Sequence, residues 1–189
     1  MRPFPELEAP LSDGVVSLRR FTLDDIADVT RALQDPDIVR WTASIPTPYT
    51  ESDASGWIER HQKLWDSGNT AVFAVDAISA GGVLLGNIAV IVPTDADERV
   101  AMMYWVAVWG RGRGVATRSL LLASRWAIDV LDPRELYLET LEGNVASERV
   151  AQKAGYDFVG YRSEDFIRPA SRGTRETLRV KEWVLDPST

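Results

Sequence analysis

Cysteine is absent from the 189-residue chain, which excludes both a disulfide framework and a thiolate metal site. Histidine occurs once, at His61, among polar residues where a surface position with no catalytic role is the simpler reading. No cluster of His, Asp and Glu has metal-ligand spacing, so no metal is expected. No apolar run approaches the roughly 20 residues of a membrane span. The opening MRPFPELEAP lacks the charged-then-apolar pattern of a leader, so a cytoplasmic protein without membrane contact is expected. Positive charge is in deficit: 21 Lys and Arg stand against 28 Asp and Glu, for a net charge of −7. That balance argues against nucleic acid as a partner and favours cationic ones. There are no internal repeats and no low-complexity tract.

What is present suits a folded globule. Hydrophobic residues make up 45% of the chain, and its length fits one domain that buries roughly 70% of its unfolded surface. Pro3, Pro5, Pro10 and Gly14 make residues 1–14 an irregular lead-in, leaving residues 15–187 as a single domain. Val15 to Phe21 reads as a first strand. Thr22 and the acids after it open a helix that Asp35-Pro36 breaks. Pro46, Pro48 and Tyr49 lie in a loop, and a second helix runs from Thr50 to about Trp65. Strands follow at Ala71–Val75 and Leu84–Val92, then an acidic turn over Thr94–Glu98. A central strand leads to Val108, a helix runs from Val115 to Asp132-Pro133, and Glu135–Leu141 alternates as a strand. Asn144 to Ala154 is a short helix ended by Gly155. Tyr156 to about Ile167 and Glu176 to Leu185 form a terminal antiparallel pair. The order β-α-α-β-β-β-α-β-α-β-β implies an α+β fold with a mixed, mostly antiparallel central sheet flanked by helices. Trp41, Trp57 and Trp65 are candidates for either core or pocket lining.

The stretch that organises the chain is Tyr104 to Arg118, YWVAVWGRGRGVATR. Alternating β-branched and aromatic residues indicate a strand, and Gly110, Gly112 and Gly114 a tight turn open to a ligand. A helix starting at Val115 directs unpaired N–H groups and its positive dipole end at that turn, and Arg111 and Arg113 add charge. This is a cradle for pyrophosphate. A Walker A loop is excluded because no lysine occurs in it. A dinucleotide fingerprint fails in both registers, with Val115 or Thr117 in the last slot. The pattern Arg/Gln-x-x-Gly-x-Gly/Ala is met in register by Arg111, Gly114 and Ala116. The stretch resembles the acetyl-CoA-binding motif of the GNAT N-acetyltransferase superfamily, and the element order also looks like that fold.

The resemblance implies acetyl-CoA as co-substrate and no metal. Backbone groups of Val106 and Val108 would pair with the pantetheine arm, and Arg111, Gly112, Arg113, Gly114, Val115, Ala116 and Thr117 would hold the pyrophosphate. A second segment, NVASERVAQKAGY over Asn144–Tyr156, is similar to the superfamily's Asn-x-x-Ala-x-x-Leu-Tyr-x-x-x-Gly-Phe. Asn144, Gly155 and Tyr156 hold their slots, and the resemblance assigns the Asn144 amide to pantetheine. Ser147 replaces the usual alanine, and Ala151 the tyrosine that often serves as general acid. With Val150 and Lys153, that swap resembles the Rim-type branch, the ribosomal-protein N-terminal acetyltransferases.

Amine attack on a thioester needs an oxyanion donor, a proton acceptor and a donor for the thiolate. Ser147 is the candidate donor, with helix capping as its structural alternative. The proton acceptor is open. Rim-type relatives often carry glutamates where Ala101 and Val159 stand, which leaves Glu139, Glu164, Asp165 or a water chain. An α-amino group of pKa about 7.7–8.0 needs no strong base, whereas lysine near 10.4 does. The acceptor implied is an amine on a protein N-terminus or a small molecule such as an aminoglycoside or polyamine. A silent acyl-CoA-binding module is the reading from another class, and a homodimer is left open.

Overall fold

The computed structural model of the protein describes residues 2–42, 45–93, 98–162, 166–168 and 176–188. In chain order the elements are β1 (Leu11–Ser12), β2 (Val16–Arg20), α1 (Ile26–Ala32), α2 (Pro36–Trp41), α3 (Glu51–Ser67), β3 (Thr70–Ala77) and β4 (Val83–Ile91). They continue with β5 (Arg99–Val106), α4 (Val115–Leu131), β6 (Glu135–Leu141), α5 (Val145–Lys153), β7 (Asp157–Tyr161), β8 (Phe166–Arg168), β9 (Glu176–Leu178) and β10 (Val180–Leu185). Eight strands form one sheet in the order β1-β2-β3-β4-β5-β6-β10-β7, antiparallel except for β5 against β6. The expected α+β architecture holds. Three details were not in the sequence reading: β1 inside the lead-in, helix α2 directly after the break at Asp35-Pro36, and a separate β8–β9 pair within the terminal strands.

Local chemistry explains the helix boundaries. Thr50 caps α3 by accepting from the Asp53 N–H, and the Asp53 carboxylate accepts in return from the Thr50 N–H at 2.9 Å. At the other end Gly68 takes the left-handed conformation that closes the helix. Helix α2 exists because Asp35-Pro36 breaks one helix and starts another: Asp35 accepts from the Asp37 N–H, and Pro36 occupies the first turn. Among the described residues no helix is long and apolar enough to cross a membrane.

The sheet buries different residues on its two faces. Val100, Met102, Leu136 and Leu138 share one core with Leu120 and Ala123 of α4 and Ala151 of α5. Val72, Ala74, Leu84 and Ala89 form the other, with Val29 of α1, Ile38 of α2 and Ile58 of α3. The lead-in is tied down as well. Phe4 is buried among Trp65 and Trp126, with ring centroids 5.7 and 5.5 Å away.

One buried ionic cluster fastens β2 to its neighbours. Arg19 forms a two-pronged pair with Asp25 (2.7 and 2.8 Å) and reaches Asp76 of β3 at 2.6 Å, both carboxylates being buried. Arg19→Met therefore strands two buried carboxylates and is expected to cost about 3–5 kcal/mol, read by urea denaturation at neutral pH. Burial already pushes the Asp76 carboxyl above its ordinary value, with Arg19 opposing. Without Arg19 the folded pKa rises further. A carboxyl whose folded pKa exceeds its unfolded one takes up a proton on folding, so the variant's deficit should shrink as pH falls through that raised value.

Candidate functional site

The parallel pairing of β5 with β6 runs only from Arg99 opposite Glu135 to Met102 opposite Leu138. Beyond it β5 continues alone on that side to Val106, while β6 continues against β10 alone. The strands enclose a cleft of about 1350 Å³, roofed by Ile38 and Trp41 of α2. Which backbone groups face it follows from strand alternation. The Trp105 N–H is turned to β4, bonding the Asn87 side chain at 3.1 Å, and the Ala107 N–H bonds the Leu85 carbonyl at 2.8 Å. The N–H and C=O groups of Tyr104 and Val106 therefore point into the opening.

The turn that follows is built for a close backbone approach. Gly110 is buried, and a Cβ there would lie 3.1 Å from the Leu85 carbonyl, so this glycine lets the turn seat against β4 while it also lines the cleft. Gly112 and Gly114 both have φ near +75°, the left-handed region that favours glycine. Gly114 is the N-cap of α4 and carries no side-chain cap. The first N–H to bond back along the helix is that of Arg118, to the Gly114 carbonyl at 3.0 Å. The N–H groups of Val115, Ala116 and Thr117 thus have no acceptor within the helix.

Of the residues expected to hold the co-substrate, Val106, Arg111, Gly112, Gly114, Val115, Ala116, Thr117 and Asn144 all line the cleft. Val108 and Arg113 do not. The strand ends at Val106 because the chain turns at Ala107, leaving Val108 59% exposed in a short 3-10 turn. The Arg111 side chain is also committed. It pairs with Asp35 at 2.6 Å and Asp37 at 3.4 Å, and its Nε donates to the Val106 carbonyl at 3.2 Å.

Ser147 lines the same cleft, and its hydroxyl lies 2.8 Å from the Tyr104 hydroxyl. Capping of α5 belongs instead to Asn144, whose side-chain oxygen accepts from the Ser147 N–H at 3.2 Å. Burial pushes the Tyr104 phenol up to about 12, with the Ser147 bond opposing, so it stays protonated at neutral pH. Tyr104 is the residue sequence reasoning missed. Its place in the strand was visible, but its partner is 43 positions away. Glu139 reaches the cleft from β6 but is held by Arg162 at 3.0 Å. Ala101 lines the cleft, Val159 is exposed on β7, and Glu164 and Asp165 fall outside the described residues.

The three tryptophans divide. Trp41 lines the cleft, Trp65 is core, and Trp57 packs edge-on against Phe21 at 5.1 Å. His61 is not the surface residue expected. It is half-buried beside Trp57, its Nδ1 lies 2.7 Å from the Trp57 carbonyl, and burial lowers its pKa.

Residues 16–157 match the family model described as an acetyltransferase (GNAT) domain. No curated protein matches the chain significantly. Among solved structures, Mycobacterium smegmatis RimJ in complex with CoA-disulfide superposes with a TM-score of 0.82 at 19% identity, covering 100% of this chain and 91% of that one. RimL, a ribosomal L7/L12 α-N-protein acetyltransferase in complex with coenzyme A, gives 0.75 at 14% identity over 94% and 96%. A spermidine N-acetyltransferase from Vibrio cholerae, in complex with CoA and spermine, gives 0.75 at 17% over 93% and 98%. At these identities the likeness is one of fold.

Proposed function

Because the chain belongs to the acetyltransferase (GNAT) domain family, we propose that it transfers an acetyl group from acetyl-CoA to a protein N-terminal α-amino group. The observation that carries this reading is one continuous cleft. It joins the uncapped N-terminus of α4, the unpaired edge of β5 and the Ser147–Tyr104 hydroxyl pair. The N–H groups of Gly114 to Thr117 bind the pyrophosphate, and Tyr104 and Val106 pair with the pantetheine amides as a neighbouring strand would. Asn144 uses its oxygen as a cap and keeps its NH₂ for the same arm. One of the N–H groups turned into the opening steadies the oxyanion.

The chemistry is direct attack. The amine nitrogen forms a bond to the thioester carbon, the carbon–sulfur bond breaks, and the thiolate takes the Ser147 proton. Tyr104, bonded to the Ser147 oxygen, restores it and is reprotonated in turn from the water that takes the amine's proton, so the site ends the cycle as it began. The amine's own proton leaves to water, since Glu139 is occupied by Arg162 and an α-amino group needs no strong base.

Charge selects between acceptors. Among the described residues the carboxylates lining the cleft are Asp37 and Glu139, and each is bonded to an arginine. A polyamine needs unpaired carboxylates, whereas a peptide N-terminus presents one ionisable nitrogen on a neutral backbone. The test is thiol release from acetyl-CoA with short peptides bearing free N-termini, set against spermidine and an aminoglycoside. The peptides should give a kcat/KM at least about tenfold higher. A preference for the polycation would overturn the protein-terminus assignment.

A further inference from the structure

We propose that the Arg111 side chain serves the acceptor rather than the pyrophosphate: it is a positioning residue that holds α2 over the cleft and so sets the affinity for the amine; this rests on the acetyl-transfer reading above. Each of its three guanidinium nitrogens has an acceptor within the protein. Nη2 pairs with Asp35 at 2.6 Å, Nη1 with Asp37 at 3.4 Å, and Nε donates to the Val106 carbonyl at 3.2 Å. Asp35 caps α2 and Asp37 lies in its first turn, so one side chain fastens the start of that helix to the turn before α4. The fastening matters because α2 has six residues, too few to persist by helical hydrogen bonds alone. The Asp35 side chain is 13% exposed. Without the guanidinium, its charge regains water only if the start of α2 moves outward. A second contact ties the same two segments. The Arg31 guanidinium, in the last turn of α1, lies 4.1 Å from the centre of the Trp109 ring. Trp109 is itself fixed, its Nε1 donating to the Leu84 carbonyl at 2.8 Å.

The place of α2 makes the acceptor the ligand affected. The cradle lies at the N-terminus of α4, which packs with Ala151 of α5 on one face of the sheet. Ile38 of α2 is buried on the opposite face, with residues of α1 and α3. A co-substrate whose phosphates are held at α4 leaves this second face for the approach of the amine. Asp37, Ile38 and Trp41 bring α2 to the cleft wall there. Trp41 reaches furthest: a Cβ at Gly143, in the turn after β6, would lie 4.0 Å from its ring. Its side chain thus spans the opening from one wall to the other. A displacement of α2 by about 1 Å moves that ring, and misplacement on this scale costs up to about 10²-fold in a reaction. The pyrophosphate loses little, since its N–H donors belong to the α4 N-terminus.

Steady-state kinetics with a short peptide bearing a free N-terminus, beside calorimetric titration with acetyl-CoA, test this on the full chain. Arg111→Met keeps an apolar stem and removes the guanidinium. The peptide KM should rise about tenfold or more, with kcat and the acetyl-CoA Kd each within about twofold of the wild type. Asp35→Asn keeps an oxygen to cap α2 but removes the charge that Arg111 binds, and should raise the peptide KM in the same way. Adding it to Arg111→Met should raise the KM no further, because both changes break one contact. Weaker acetyl-CoA binding by Arg111→Met beyond that range would return the side chain to the pyrophosphate and overturn the proposal. So would an unchanged peptide KM, even where the melting temperature falls as it does for a merely structural pair. Effects of the two single variants that add in full would overturn it as well. Absence of acetyl transfer to any amine by the wild type would overturn the acetyl-transfer reading itself, and this inference with it.

Discussion

Gly114→Glu should abolish binding of acetyl-CoA, seen as loss of the calorimetric signal, while the protein remains folded. Glycine is needed at this position because φ is +75°, and a side chain there costs roughly 1–2 kcal/mol in left-handed strain. That cost lowers the melting temperature without unfolding the domain. Nothing in the surroundings adds to it, since the nearest atom to a Cβ at Gly114 is the Arg118 Nε at 3.8 Å. The loss of binding has a different cause. A carboxylate at the N-cap of α4 competes for the N–H groups that the pyrophosphate needs and repels it by like charge. Gly114→Ala separates the two effects: it carries the strain without the charge, and it should retain measurable affinity. A Gly114→Glu protein that binds acetyl-CoA as the wild type does would remove the cradle from the account.

Ser147→Ala should lower kcat by about 10²-fold or more, the low end for general acid catalysis, with acetyl-CoA affinity nearly unchanged. The surroundings of Ser147 distinguish a proton donor from a helix cap. Had Ser147 been a helix cap, its removal would cost about 1 kcal/mol of stability and little turnover. The cap is Asn144, and the Ser147 hydroxyl is bonded to Tyr104 instead. Tyr104→Phe should reduce kcat less, because Ser147 keeps its own proton for the first transfer and loses only its resupply. Tyr104 is pushed up to about 12, so the hydroxyl pair does not titrate between pH 6 and about 9. Within that window the rate should rise with pH along the acceptor's amine titration alone. A Ser147→Ala enzyme with normal kcat would leave thiolate release to water.

The parts of this site that are local in sequence were legible. The register of Arg111, Gly114 and Ala116 after a strand placed the turn, and two of its three glycines, Gly112 and Gly114, have positive φ. The capping pattern of Thr50 and Asp53 marked the start of α3. What escaped reading was set by distant partners. Arg111 carries charge, yet Asp35 and Asp37, more than seventy positions away, hold its side chain. Alternation carries the strand pattern on to Val108, but the bond from Ala107 to Leu85 turns the chain two residues earlier. Helix α2 did leave a signal, since Asp followed by Pro is a capping residue before the first turn as well as a break. Its role as a roof over the cleft is tertiary and left none.

The measurement that bears most directly on acetyl transfer is free thiol counted against acetylated product, with acetyl-CoA and a peptide whose α-amino group is free. Thiol and acetylated peptide should appear in equal amounts, and the same peptide with a blocked N-terminus should release no thiol above the rate without acceptor. An enzyme-free level of thiol with every amine offered, from a protein that binds acetyl-CoA, would contradict catalysis and leave a silent acyl-CoA-binding module.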